Sequence, residues 1–364
     1  MKYLKKITWI LLTINQAFIP IDKLISLPLL GYYFYKGKSP LKYKYLLFSI
    51  LTLLFIFTTI WANPNSNILL IFPVIFGLLA FLVYDSEEDI NIIQKALLLN
   101  IYFGLLSAIL QTIGFSLIGN KSLYEKGLPF LYAPVGFSPT LQVYGTICIT
   151  WLMIAFEKKQ SLSLNYIIVI IATLCTLSRA TLITFFLLLF IYKRKFALSL
   201  ILTVLVTILV TPFLRENLFS TATMESRGDL RLGADISYWQ SNDILIYLIG
   251  RGTHFTTEEI SNLTFWGQSY IENGVDFIFH SYGIIGFILY VSFVLTIIFT
   301  IYQNGKLHLI LLALYYFLIE QQFTNEFLSS SFCIFTASIL LLSKNKIGNK
   351  KEYYEKNSML SPLQ

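Results

Sequence analysis

Charge and cysteine are both scarce in this chain. Only 13% of its 364 residues are charged and 56% are apolar. A chain with so much apolar surface is neither disordered nor low in complexity, and 19 glycines with 10 prolines leave no collagen-like repeat. The three cysteines, Cys148, Cys175 and Cys333, lie singly inside apolar runs. That placement excludes a disulfide framework or a thiolate metal site and reads as small buried residues. No HExxH, Walker A or paired-cysteine spacing occurs, so neither a metal hydrolase nor a nucleotide-driven motor is supported. No metal and no cofactor are expected.

What is abundant is apolar length. With 31 Phe, 23 Tyr and a mean hydropathy of +0.68, the chain is too apolar for two soluble domains. Runs such as Tyr45 to Ala62, Ile68 to Tyr84 and Phe196 to Leu214 carry no charged side chain over roughly the ~20 residues that cross ~30 Å of hydrocarbon. The expected fold is an all-α, polytopic transmembrane helical bundle, a single integral membrane domain over 1–364. Crossings are placed near 5–19, 22–35, 45–62, 68–84, 93–117, 138–156, 164–177, 180–192, 196–214, 277–303, 307–322 and 327–343, twelve in all. The first two, about 14 residues each, are short enough to be a tilted or re-entrant pair. Met1 to Pro20 lacks the small-residue site of a cleavable signal peptide.

The net charge of +7 does not indicate nucleic acid, because of where the charges sit. With a cytoplasmic N-terminus, 19 of the 27 basic residues fall on the inner side, including a basic tail at 344–364, as the positive-inside rule asks. Lysine carries that signal: 18 of 21 lysines are inner, whereas five of six arginines (Arg179, Arg215, Arg227, Arg231 and Arg251) are outer. Arginine offers a planar fork of donors to phosphate or carboxylate that a lysine cannot copy. Pairing with outer acids such as Glu216, Glu225 and Asp229 is the plainer alternative.

Arg179 stands where two crossings of about 14 residues meet, which sets it at or below the outer surface, where a charge is costly. Snorkelling to the headgroups is the alternative. The longest connection, 215–272, lies outside, and a loop of that length is usually functional or has structure of its own. In it, Asp235 to Leu248 reads as a helix with Ile236, Trp239, Ile244, Tyr247 and Leu248 largely on one side. Thr256 and Glu259 form a capping-box start. Gly250, Arg251 and Gly252 make a turn whose backbone can approach an anion. Glu272, Asp276 and His280 follow at four-residue spacing, which stacks them on one helical face. Two acids above a histidine can supply a general base, or simply favour a helix start. His254 is a rival base, and His308 falls on the inner side.

Together these features resemble the O-antigen polymerase and O-antigen ligase superfamily of bacterial surface-polysaccharide enzymes. Gly136-Phe137-Ser138-Pro139-Thr140 is similar to that family's lead-in to a crossing, with Thr140 where Asn is usual. Ser178-Arg179 resembles its Ser-Arg at the tip of a short helix pair. Glu272-Asn273-Gly274-Val275-Asp276-Phe277 with Tyr282-Gly283-Ile284-Ile285-Gly286 resembles the acid-rich helix start and Gly-Ile-Ile-Gly that close its large outer loop. Arg227 and Arg231 ahead of Gly250 to Gly252 also fit. The ligase branch usually carries His-Asn where this chain has Glu272-Asn273, which favours the polymerase.

The resemblance implies an enzyme that joins polyprenyl-diphosphate-linked oligosaccharide units at the outer face of the bacterial cytoplasmic (inner) membrane. A flippase and a chain-length regulator would be its partners, and both termini would be cytoplasmic. Such chemistry asks for a cationic clamp on the departing diphosphate and a base for the acceptor hydroxyl. Arg179, Arg227, Arg231 and Arg251 suit the clamp; His280, His254, Asp276 or Glu272 suits the base; Trp239 could stack on a sugar ring. Ligase-type transfer and a flippase or other transporter are the alternatives, the latter needing polar residues along a path through several helices.

Overall fold

The computed structural model describes residues 2–14, 50, 54–62, 87–115, 121–123, 128–161, 163–211, 243–252, 273–323, 326 and 329–344. The expected crossings 22–35 and 68–84, and residues 45–49 and 51–53 of the crossing 45–62, lie outside the described residues. So do Glu272, His254, Arg227, Arg231 and Trp239.

Helix dominates, at 82% of the described residues. The helices are α1 (Lys2–Ile14), α2 (Glu87–Thr112), α3 (Leu141–Glu157), α4 (Leu164–Cys175), α5 (Arg179–Tyr192), α6 (Arg194–Val210), α7 (Ile244–Ile249), α8 (Gly274–Gln303), α9 (Leu307–Leu314) and α10 (Ser330–Lys344). Two of them, at Glu88–Thr112 and Gly274–Gln303, are long and apolar enough to cross a membrane; α3, α4, α5 and α10 are shorter apolar helices. The all-α expectation needs one correction. Strands β1 (Lys121–Leu123) and β2 (Leu128–Ala133) form an antiparallel pair with a bulge after Ser122, and β2 packs on α2. Two strands so short read as loop in a sequence, and their pairing is completed by the helix beneath them.

The centre of the bundle is α3, packed by α2, α4, α5 and α10. It has no polar face, and every residue from Val143 to Ala155 is buried, as an all-round apolar helix requires. Thr140 caps it, its hydroxyl accepting from the Val143 amide at 3.2 Å, so threonine does here what asparagine does at other N-caps. Gly145 lets α5 approach closely: a Cβ there would stand 2.3 Å from both Cγ2 and Oγ1 of Thr181.

The two ends of the bundle differ in chemistry. At the lysine-bearing end, Glu157 closes α3, accepts from Lys306 Nζ at 2.8 Å and from Tyr192 Oη at 2.7 Å, and pairs with His308. Burial works to raise this carboxyl, but the bonds from His308, Lys306 and Tyr192 outweigh it and hold it down at about 2. A depressed carboxyl stabilises the fold above its unfolded value and loses that contribution as pH falls toward the folded one. With the Glu157 side chain only 6% exposed, its shift is worth about 3 kcal/mol. Glu157→Gln should therefore lower the unfolding temperature at neutral pH and flatten its fall below about pH 4, as thermal unfolding across that range would show.

Candidate functional site

The opposite end of the bundle gathers the starts of α3, α5, α8 and α10. Arg179 is the first residue of α5 and is half-buried. The turn that delivers it contains Leu177 at φ 45, a left-handed conformation that a branched residue adopts only under constraint. Thr176 Oγ1 donates to the Thr173 carbonyl at 2.7 Å and accepts from the Ser178 amide at 3.4 Å. A groove of about 550 Å³, lined by Leu105, Ile109, Leu123, Leu131, Ile171 and Leu177 among others, runs between α2, the strand pair and α4. Its lining includes Leu177, two residues before Arg179 in the sequence.

The second feature is a joint between the Gly250–Gly252 turn and α8. Asn273 caps α8 with its side-chain oxygen, accepting from the amides of Val275 (2.9 Å) and Asp276 (3.2 Å). The helix thus starts at Gly274, so Asp276 and His280 are the two members of the predicted stack that it carries. At Gly283, φ is 64 and ψ is −164, which interrupts the helix. The freed carbonyls are taken up from outside: the Arg251 amide donates to His280 O at 2.8 Å and the Gly252 amide to Ser281 O at 3.0 Å. Peptide carbonyls at a broken helix need such partners.

Only glycine fits on either side of the joint. Gly250 has φ 79, and a Cβ on it would lie 2.4 Å from Ser281 C and Tyr282 N; a Cβ on Gly283 would lie 2.5 Å from Leu248 O. The Gly-x-Gly turn and the Gly-Ile-Ile-Gly segment, separate signals in the sequence, are two halves of one contact. The helix before the turn is α7, capped at Asp243, whose carboxylate accepts from the Leu245 amide at 2.9 Å. Asp243 is extended, so the helix expected over Asp235 to Leu248 does not run unbroken through it; a side-chain cap outcompetes continuation.

The joint brings Arg251 to His280, the guanidinium within electrostatic range of the imidazole. His280 is 1% exposed beneath the turn; Asp276 and Arg251 are half-buried. Among the described residues no group of three or more His, Cys, Asp or Glu side chains could hold a metal ion.

Two further residues of this end were not among the candidate site residues, although Glu320 stands out in the sequence as the charge nearest a crossing, at an outer helix end. Glu320 and Glu326, 0% and 1% exposed, are buried where the chain turns from α9 to α10. That turn passes through a π-helical stretch, Tyr315–Ile319, and a 3₁₀ turn, Glu320–Gln322. The signal was present in Glu320 itself, a carboxylate closing an apolar run, but its inward direction depends on the change of helical pitch. No protein-family model matches the chain and no characterised protein matches it either, so the site's geometry and the motif order carry the functional reading.

Proposed function

We propose that this chain is a membrane glycosyltransferase of the O-antigen polymerase type, joining polyprenyl-diphosphate-linked oligosaccharide repeat units into a surface polysaccharide at the outer face of the cytoplasmic membrane. The observation that carries the reading is the Arg251–His280 joint, in which a loop arginine and a helix histidine, the two residue types the transfer needs, are pinned together by backbone bonds. The apolar groove, with Leu177 of the Arg179 turn in its lining, suits a polyprenyl chain whose diphosphate would meet an arginine. The exposed faces of the helices favour a lipid setting: Leu202 and Leu209 on α6 and Leu295 and Phe299 on α8 are each more than half exposed. About twelve crossings, cytoplasmic termini and an outer 215–272 loop belong to this same proposal.

In the reaction the acceptor hydroxyl attacks the anomeric carbon, its proton passes to the base, and the sugar–phosphate bond breaks with the electron pair leaving on the diphosphate. Arginines stabilise the departing charge; His280 is the base of choice, with Asp276 on the same helix. In a strain deleted for the gene, the intact chain should restore long polysaccharide in place of single-unit product. Transfer of preformed polymer to a separate acceptor would instead make it a ligase. Arg179→Lys keeps the charge but loses the bidentate fork, and should shorten the polymer at equal protein level; full-length polymer would reduce Arg179 to a surface charge. The buried Glu320 and Glu326 favour a second reading, a transporter of the same lipid-linked units, since transporters place ionisable groups at broken helices inside the bundle.

A further inference from the structure

The two buried glutamates are tied to different helices. Thr146 Oγ1 on α3 lies 2.8 Å from Glu326 Oε1 and 2.7 Å from Oε2, while Tyr316 Oη donates to Oε2 at 3.0 Å and Ser331 Oγ at 3.3 Å. Glu320 Oε2 lies 2.7 Å from Thr184 Oγ1 on α5. The carboxyls are close enough to interact electrostatically.

Counting hydroxyl hydrogens distinguishes them. Glu326 faces three hydroxyls; Thr146 and Tyr316 each have a hydrogen to give, while that of Ser331 is contested by Ser329 Oγ, which is still the surrounding of an acceptor. Those neutral hydroxyls are its partners. Thr184 faces two acceptors, the Ala180 carbonyl at 2.9 Å and Glu320 Oε2 at 2.7 Å, and its single hydrogen serves one. A proton on Glu320, donated to Thr184 while Thr184 donates to Ala180, satisfies both contacts. Two ionised carboxylates together in a buried site repel strongly, whereas a pair sharing one proton does not. Burial also raises the Glu326 carboxyl, with the bonds from Thr146, Tyr316 and Ser331 drawing it part of the way back.

Two further hydroxyls point to a mobile polar species rather than to the fold alone. Thr181 Oγ1 and Ser330 Oγ are buried, with residue exposures of 0% and 4%, and have no hydrogen-bond partner among the described residues. Thr181 sits one turn before Thr184, against Gly145 beside Thr146, and Ser330 adjoins Ser331. A buried hydroxyl left without a partner is costly, which favours a small polar species such as water at these positions.

We propose that Glu320 and Glu326 form a proton-binding site, holding one exchangeable proton between them, whose release loosens the α9–α10 turn from α3 and α5. Among the described residues, the titratable or charged groups on the elements around it are Tyr315 and Tyr316 of the turn, Cys148 on α3, Arg179 at the start of α5, His280 and Tyr290 on α8 and Cys333 on α10. His280 is the one imidazole among these groups, so a His280→Ala background removes it from the titration.

The test is infrared titration of the full chain in lipid nanodiscs. The wild type should show one protonated, buried carboxyl at neutral pH that ionises as pH rises. Glu320→Gln and Glu326→Gln should each weaken the remaining carboxyl's hold on its proton by about tenfold or more, one pH unit or more in midpoint, because the neighbouring charge is gone. The double variant should lack the band. Thermal unfolding gives a second measure: a raised carboxyl stabilises at acid pH and loses that contribution as pH rises through its folded value, so wild-type stability should fall there and the double variant's should not. Absence of a neutral-pH carboxyl band, a band that survives in the double variant, single variants with unshifted midpoints, or displacement of the proton by sodium at fixed pH would each overturn the proposal.

Discussion

Replacing His280 by alanine is expected to slow chain growth by about 10²- to 10⁴-fold, the usual cost of losing a general base. The expectation rests on its place under Arg251 at the arginine-bearing end of the bundle. His280 is fully buried beneath the turn, so on the proposed reading an acceptor would have to displace the turn to reach it. Alanine also leaves a cavity, and that structural cost must be separated from the chemical one. His280→Gln preserves most of the volume and a polar end while removing the imidazole. Slow growth in both variants, at wild-type protein level and with lipid-linked substrate still bound, is the expected result. Normal growth in the glutamine variant would assign His280 a packing role and move the base to Asp276 or to His254.

Gly250→Ala should be nearly as damaging without touching a reactive group. Its Cβ would meet the Ser281–Tyr282 peptide at 2.4 Å, and φ 79 is a conformation that alanine resists. The turn cannot seat, and the carbonyls of His280 and Ser281 lose the amides of Arg251 and Gly252, at about 1–3 kcal/mol for each buried group left bare. A displacement of about 1 Å in a positioned group can cost ~10²-fold, and growth should fall by that order. Gly283→Ala attacks the joint from the other side, at 2.5 Å from Leu248 O, and should give the same phenotype. Gly305→Ala is the control, with φ 71 but nothing within 4 Å of its Cβ. If all three variants polymerise alike, the joint has no part in the reaction.

Helix positions were largely legible in the sequence because apolar run length is a local property. The expected crossings 138–156, 164–177, 180–192 and 277–303 correspond to α3, α4, α5 and α8 within a few residues. The break at Gly283 was not legible, since a glycine inside an apolar run is compatible with an unbroken helix until something else supplies the missing hydrogen bonds. Nor was the strand pair, whose register is set by contact rather than by pattern.

The site divides along the same line. Arg179, Arg251, Asp276 and His280 could be singled out because a charge or an imidazole beside apolar sequence is conspicuous in one dimension. That Arg251 belongs with His280 follows from a clasp between two glycines 33 positions apart, and a sequence does not display which backbones touch. Glu320 and Glu326 make the same point more sharply. By sequence they are polar residues at a helix end, where water is the natural partner; the π and 3₁₀ turns rotate them into the bundle against Thr146 and Thr184. Composition thus determined the class of the molecule, helical and apolar, because hydropathy sums over residues irrespective of their neighbours. Which ionisable groups are buried, and with whom, was decided by tertiary packing alone, because burial is a property of the surroundings that the chain acquires only when it folds.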